Sequence, residues 1–311
     1  MFRLLPRQRR LFESVLAKLG DQEAAWVDAV HISAAAAAIE AAGHRNFGEP
    51  GRRVSEISGT GISGDVQRGL IARWMLDLPV RVAREQLPQT VLDLYPFWID
   101  QLANWLSTQH GAYDSDYWAK DVRFALALSV PGNRTQTIDL ISHCSPGQIV
   151  RDAVLRANLS TLARYVMCGG WHRKWLQTHT ESRHLDDFHE AGWNRLWVTA
   201  ADICNSRQHL AGMLGSSWFF DPPLETISPR LAYLRRNPVA GGAFLADQGS
   251  GPTHTERAAA KSSTRRALIV SGEYVPHSWL LAWPRKALLV WAEQNRDIIG
   301  LQSGDVVAKA A

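Results

Sequence analysis

The chain has 311 residues, 46% of them apolar and 21% charged, with a formal net charge of +4. That is the composition of a soluble globular protein with room for two modest domains, and the positive excess is too small to make a nucleic acid the expected partner. Three widely spaced cysteines, Cys144, Cys168 and Cys204, form no CxxC, which argues against a thiolate zinc site and a disulfide framework and fits a reducing cytoplasm.

At the N-terminus the segment Leu11 to Gly20 is interrupted by Glu13 and Lys18, so it lacks the apolar core of a signal peptide. No run of eighteen apolar residues occurs, and no membrane span is expected. Phe12, Val15, Leu16 and Leu19 repeat at helical spacing, and Ala34 to Ala42 is a strong helix former ending at Gly43. A polar, Gly-rich stretch follows from Gly48 to Gly64. Val66 to Leu78, Arg81 to Leu94 and Phe97 to Thr108 predict further helices, broken at Pro79, Pro88 and Pro96. From Val122 the character changes. Phe124 to Val130 is a short apolar run, Pro131-Gly132-Asn133 reads as a turn, and Thr135 to Ile141 favours a strand. A helix from Gln148 to Met167 is expected next.

After residue 170 the pattern alternates between strand and helix. Trp175 to Thr180 predicts a strand. Ser182 suits an N-cap, and Leu185, Phe188, Trp193, Leu196, Trp197, Ala200 and Ile203 form one apolar stripe of a long helix. Leu210 to Phe220 suits a strand stopped by Asp221-Pro222-Pro223. Leu231–Leu234 and Ala243–Ala246 are shorter strand candidates. Glu256 to Val270 predicts a helix capped at Gly272, Val275 to Trp283 a strand, and Pro284 opens a last helix to about Gln294. Eight of the 13 tryptophans follow residue 170, so the second half is expected to pack aromatics or line a cavity with them. Core packing is the default for Trp193 and Trp197, which share a helix face with Leu196. The basic pairs Arg235–Arg236 and Arg265–Arg266 are expected on solvated faces.

Three constellations carry possible chemistry. Gly59-Thr60-Gly61-Ile62-Ser63-Gly64 matches G-x-G-x-x-G but lacks the buried strand that a dinucleotide site needs before it, and is read as a loop. Gln248-Gly249-Ser250-Gly251-Pro252-Thr253 is a Gly-rich turn ahead of a helix-forming run. Unpaired amides and the helix dipole there would suit a phosphate; an ordinary surface loop has the same composition. The third is His-rich: His172, His179, His184 and His189 with Glu181, Asp186 and Asp187. His179 and Glu181 point to one side of a strand, and His184 and His189 are expected on an exposed helix face.

The order strand, long helix, strands, Gly-rich loop, helix, strand, helix over roughly residues 175–295 resembles the GNAT acyltransferase superfamily. In that family a loop Q/R-x-x-G-x-G/A binds the coenzyme A pyrophosphate through successive amides. Gln248 and Gly251 match it, Thr253 replaces the final small residue, and Pro252 brings no N–H. The resemblance implies an acyl-CoA or related thioester donor held by Gln248, Gly249, Gly251 and Thr253, and an amine-bearing small molecule as acceptor. The family tyrosine that protonates the leaving thiolate has no counterpart in Lys286–Gln294; Tyr274 lies before the last strand instead. Acyl transfer needs a base for the amine. His179, Glu181 and Asp221 are the candidates, while Glu181 also suits a helix N-terminus and Asp221 a turn. A second reading rests on His179-x-Glu181 with His254 and, eleven residues further, Arg265. That spacing resembles the Fe(II)/2-oxoglutarate oxygenases and implies iron held by His179, Glu181 and His254. A third reading is a non-catalytic binding protein. The fold class expected is α+β: a helical domain over 1–128, a connecting region over 129–174, a GNAT-like α/β domain over 175–299 and a frayed tail over 300–311. The oligomeric state has no signal in the sequence.

Overall fold

Apolar spacing closes into helices throughout the first half of the chain. The computed structural model describes residues 2–44, 46–58, 62–156 and 158–308. The chain divides into two units, Met1–His143 and Cys144–Ala311. The first holds α1 (Pro6–Leu16), α2 (Asp21–Ala41), α3 (Glu49–Ser58), α4 (Gly64–Arg84), α5 (Gln89–Leu92), α6 (Tyr95–Thr108), α7 (Ser115–Ala125), and a hairpin of β1 (Ser129–Pro131) and β2 (Gln136–Asp139). Helix α1 packs on α4 and α6, and α2 on α3 and α4. Their inner faces bury Phe12, Leu70, Ile71, Trp74, Met75, Leu78, Tyr95 and Ile99. The carboxylate of Asp139, fully buried, is neutralised by Arg123 at 2.9 Å and accepts a hydrogen bond from Ser129.

Three expectations change in this unit. The Gly-rich stretch is not all loop: Glu49–Ser58 is helical, held by the short-range pairs of Arg52 and Arg53 with Glu49 and Glu56. Part of the Gly59–Gly64 motif lies outside the described residues. Pro79 does not break its helix, and α4 runs through it. Arg81 Nη1 donates to the carbonyl of Trp74 at 2.8 Å, which satisfies a backbone acceptor in the turn the proline loosens. Helix α2 meets the length and hydropathy of a membrane span, with mean hydropathy 1.2 over its window, although its apolar residues are not contiguous. Alanines carry that value, and Val27, Ala34, Ala38 and Ala41 are buried.

The second unit contains α8 (Pro146–Leu155), α9 (Leu159–Met167), β3 (Lys174–Thr180), α10 (Glu190–Ser206) and β4 (Leu210–Ser217). It continues with α11 (Leu224–Ile227), α12 (Tyr233–Ala240), β5 (Phe244–Ser250), α13 (Pro252–Ala260), α14 (Ser263–Val270), β6 (His277–Pro284) and α15 (Arg285–Ala308). Single 3-10 turns cover Trp218–Phe220 and Pro229–Leu231. The four strands lie in the order β3-β4-β6-β5. β3 and β4 are parallel, joined by α10 as the crossover, while β6 runs antiparallel to both β4 and β5. Ile149 of α8 and Tyr165 of α9 pack with Trp175, Phe244, Ala246, Leu280 and Ala282 in one core. Tyr165 stacks on Trp175 at 5.7 Å between ring centroids. A chain of rings from Trp193 through Trp197 and Trp283 to Trp291 links α10, β6 and α15.

The predicted helix over 148–167 is two helices, the second capped by Asn158, whose side chain accepts from Thr161 N. The predicted helix over 256–270 also splits, at the Ser262 cap of α14. Leu231–Leu234 spans the 3-10 turn and the start of α12 instead of a strand. The last helix extends to Ala308, so the tail predicted from residue 300 is helical as far as that residue. Residues 309–311 lie outside the described residues.

Candidate functional site

Strand directions gather one set of chain ends. β3 and β4 are parallel, so their carboxyl ends share an edge. β6 starts at that edge because it is antiparallel to β4, with Ser217 opposite Trp279, and β5 ends there, with Ser250 opposite His277. Helices α10 and α13 begin from the same edge. In open α/β sheets the carboxyl ends of parallel strands, beside the crossover helix, are where ligands bind.

His277 sits at the centre of this edge, and two carboxylates hold it. Its Nδ1 lies 3.0 and 3.1 Å from the two oxygens of Asp247. A carboxylate only accepts, so Nδ1 carries a hydrogen, and Nε2 is the ring position left to take up or give a proton. Nε2 has no partner among the described residues, and the side chain is 35% exposed. Asp247 is itself fixed: it accepts from Gly249 N at 2.7 Å and from Arg156 Nη1 at 3.1 Å. The second carboxylate is Asp221. One oxygen accepts from the His277 amide at 3.0 Å and the Tyr274 hydroxyl at 2.9 Å, and the other from Trp279 Nε1 at 3.0 Å. Asp221 is buried, and its contacts tie the turn after β4 to the start of β6. Burial, with the negative charge of Asp221 beside it, pushes the Tyr274 phenol above its usual range.

Next to this dyad, Gln248 Oε1 accepts from Ser216 at 2.5 Å and from Ser278 at 3.2 Å. Gln248 and Gly249 belong to strand β5, not to a loop. Gly249 occupies a bulge with φ +90°, a left-handed conformation that favours glycine. Its amide is committed to Asp247. The amides of His254 and Thr255 return to the Gly251 carbonyl. Those of Gly251 and Thr253 make no hydrogen bond among the described residues. Gly251 is the N-cap of α13, with extended backbone and open space around it.

At the end of β3, His179 is half-buried and Glu181 is buried. The Glu181 carboxylate accepts from the Arg183 amide at 2.9 Å and its guanidinium at 3.0 Å. Residues 181–189 form a loop, and α10 begins at Glu190, eight residues after the Ser182 cap that the sequence predicts. The cap is His189, whose Nδ1 accepts from Gly192 N at 3.2 Å. The loop folds back so closely that a Cβ on Gly192 would lie 2.0 Å from the Asp187 carbonyl, and Asp187 pairs with Arg195 at 2.5 Å. His184 and His189 therefore lie on this loop and its cap rather than along a helix face. Neither Glu181 nor His254 belongs to a set of three donor atoms within 4.8 Å among the described residues, so His179, Glu181 and His254 are not brought together. Burial, then Arg257, holds the His254 ring below its usual pKa.

The edge thus collects Gln248, Gly249, Gly251, Asp221 and Tyr274 from the sequence candidates. It adds His277 and Asp247, which no motif announced: they are thirty residues apart, and only strand pairing joins them. No family model matches the chain, and no curated protein matches it. Among solved structures, the chain is similar to a mutant of the acyltransferase orf11* in complex with octanoyl-CoA. The TM-score is 0.51 over 91% of this chain and 90% of that one, at 12% identity. At that identity the likeness is one of fold.

Proposed function

We propose that this chain transfers an acyl group from acyl-CoA, or a related thioester, to the amine of a small molecule at the carboxyl edge of β3 and β4. The observation that carries the reading is the Asp247–His277 pair, with its Nε2 directed away from Asp247 at the edge where this fold class binds ligands. The acyltransferase fold and the edge's charge agree with it. The free amides of Gly251 and Thr253, the positive end of α13 and the nearby Arg156 suit an anionic donor. Gln248 and Gly249 shape that rim. In the reaction the amine nitrogen forms a bond to the thioester carbonyl carbon and the carbon–sulfur bond breaks. His277 Nε2 takes the proton lost by nitrogen, and Asp247 stabilises the imidazolium. The departing thiolate regains a proton from that imidazolium, while the Tyr274 hydroxyl stays committed to Asp221. His179, at the end of β3, faces the acceptor in this scheme. Glu181 and Asp221 hold the frame.

The test is thiol release from octanoyl-CoA against a panel of primary amines, with wild type and His277→Gln. Loss of a general base lowers turnover by ~10²–10⁴-fold. Equal turnover in the two proteins, or no amine-dependent thiol release from wild type, would remove the reading.

A further inference from the structure

Arg265 was expected on a solvated face, yet it is 4% exposed. Its guanidinium lies over the Trp218 ring at 4.9 Å, Nε donates to the Ala258 carbonyl at 2.7 Å and Nη1 to Ser228 Oγ at 3.1 Å. Both acceptors are neutral. Among the described residues no carboxylate comes within 4.0 Å of Arg265, and its Nη2 donates to nothing, although that atom is not sealed from solvent. A buried cation without a counter-charge is costly, and proteins ordinarily pair it. Here the neighbourhood adds positive charge instead. Arg230, on the turn after Ser228, has no partner among the described residues; burial first, and then the charge of Arg230, disfavour the Arg265 cation. Glu225, five residues before Arg230 in the sequence, pairs with Arg235. Ser228 accepts from Arg265 and keeps its own hydroxyl hydrogen to give. Arg265 Nη2, Ser228 Oγ–H and the Arg230 guanidinium therefore supply donors and positive charge with no negative charge among them.

We propose that Arg265, Ser228 and Arg230 form a subsite for an oxyanion, a phosphate or carboxylate carried by a ligand. Planar guanidinium donors match both groups. Trp218 directly follows β4, so the subsite adjoins the edge described above. The subsite stands without the acyl-transfer reading; only the identity of the molecule carrying the anion rests on it. Two carriers share the chemistry: the 3′-phosphate of coenzyme A and an acidic group on the acceptor.

The experiment is calorimetric titration of the full chain with inorganic phosphate, which requires no acyl transfer. Wild type should bind saturably. Arg230→Ala, at an exposed position that spares the core, should weaken binding roughly tenfold, as should Ser228→Ala. No saturable binding by wild type, or equal affinity in Arg230→Ala and wild type, overturns the subsite. Coenzyme A and dephospho-coenzyme A then separate the carriers. If the 3′-phosphate occupies the site, dephospho-coenzyme A binds wild type more weakly, and Arg230→Ala costs it nothing further. If Arg230→Ala weakens phosphate but leaves coenzyme A unchanged, the anion belongs to the acceptor.

Discussion

Replacing Asp221 by alanine separates frame from chemistry at this edge. The carboxylate accepts three hydrogen bonds, from Tyr274, the His277 amide and Trp279. Alanine leaves all three donors without an acceptor. Tyr274 is 3% exposed, so its hydroxyl bears a full desolvation penalty; the other two are half-buried and water reaches them. At about 1–3 kcal/mol for a buried orphan and the low end for the others, the loss is about 3–5 kcal/mol. Urea unfolding of the full chain, followed by tryptophan fluorescence, reads this as a fall in midpoint at constant slope. Asp221→Asn keeps the shape and one acceptor oxygen, and should fall between alanine and wild type. If alanine costs less than about 1 kcal/mol while turnover drops ~10²–10⁴-fold, Asp221 acts on the substrate and the clamp assignment is wrong.

Other outcomes follow from the same geometry. Glu181→Gln breaks a buried pair with Arg183 and should cost on the order of 3 kcal/mol, with turnover of the folded variant retained; a large loss of turnover at unchanged stability would make Glu181 the base. Burial pushes the Cys204 thiol up to about 12, so an aromatic disulfide reagent at pH 8 should label Cys144 and Cys168 well before Cys204, and equally rapid labelling of all three would contradict that burial. The His254 ring should titrate below 6.5 by NMR, because burial and Arg257 disfavour its cation. Its folded-state pKa is depressed, so the stability it contributes is present above pH 6.5 and lost as the pH falls below that value; a midpoint above 6.5 would refute the assignment.

Elements with strong periodicity were legible in the sequence. The helical first half, the strand ending at Thr180, and the strand–helix pair around Pro284 follow from local patterns. The misplaced boundaries have specific causes. Leu185 and Phe188 fit the stripe of α10, yet the chain there is a loop, because Asp187 pairs with Arg195 and its carbonyl packs on Gly192. Gln248-Gly249 reads as a turn by composition but is a bulged strand, since the Gly249 amide meets Asp247. The site was half legible. Residues adjacent in sequence could be proposed together, whereas His277 and Asp247 meet only through the pairing of β5 with β6, and Arg265 lost its expected exposure to the packing of α14 on Trp218 and Ser228.

The measurement closest to the central claim is calorimetric binding of coenzyme A to the intact chain and to Gly251→Val. Gly251 has extended backbone, and the nearest atom to an added Cβ is His254 Cδ2 at 3.8 Å, so valine fits without disturbing the fold. Its side chain would cover the amides of Gly251 and Thr253. The account predicts saturable binding by wild type and a marked loss of affinity in the variant at an unchanged unfolding midpoint. Equal affinity in both proteins, or no binding to wild type, would contradict it.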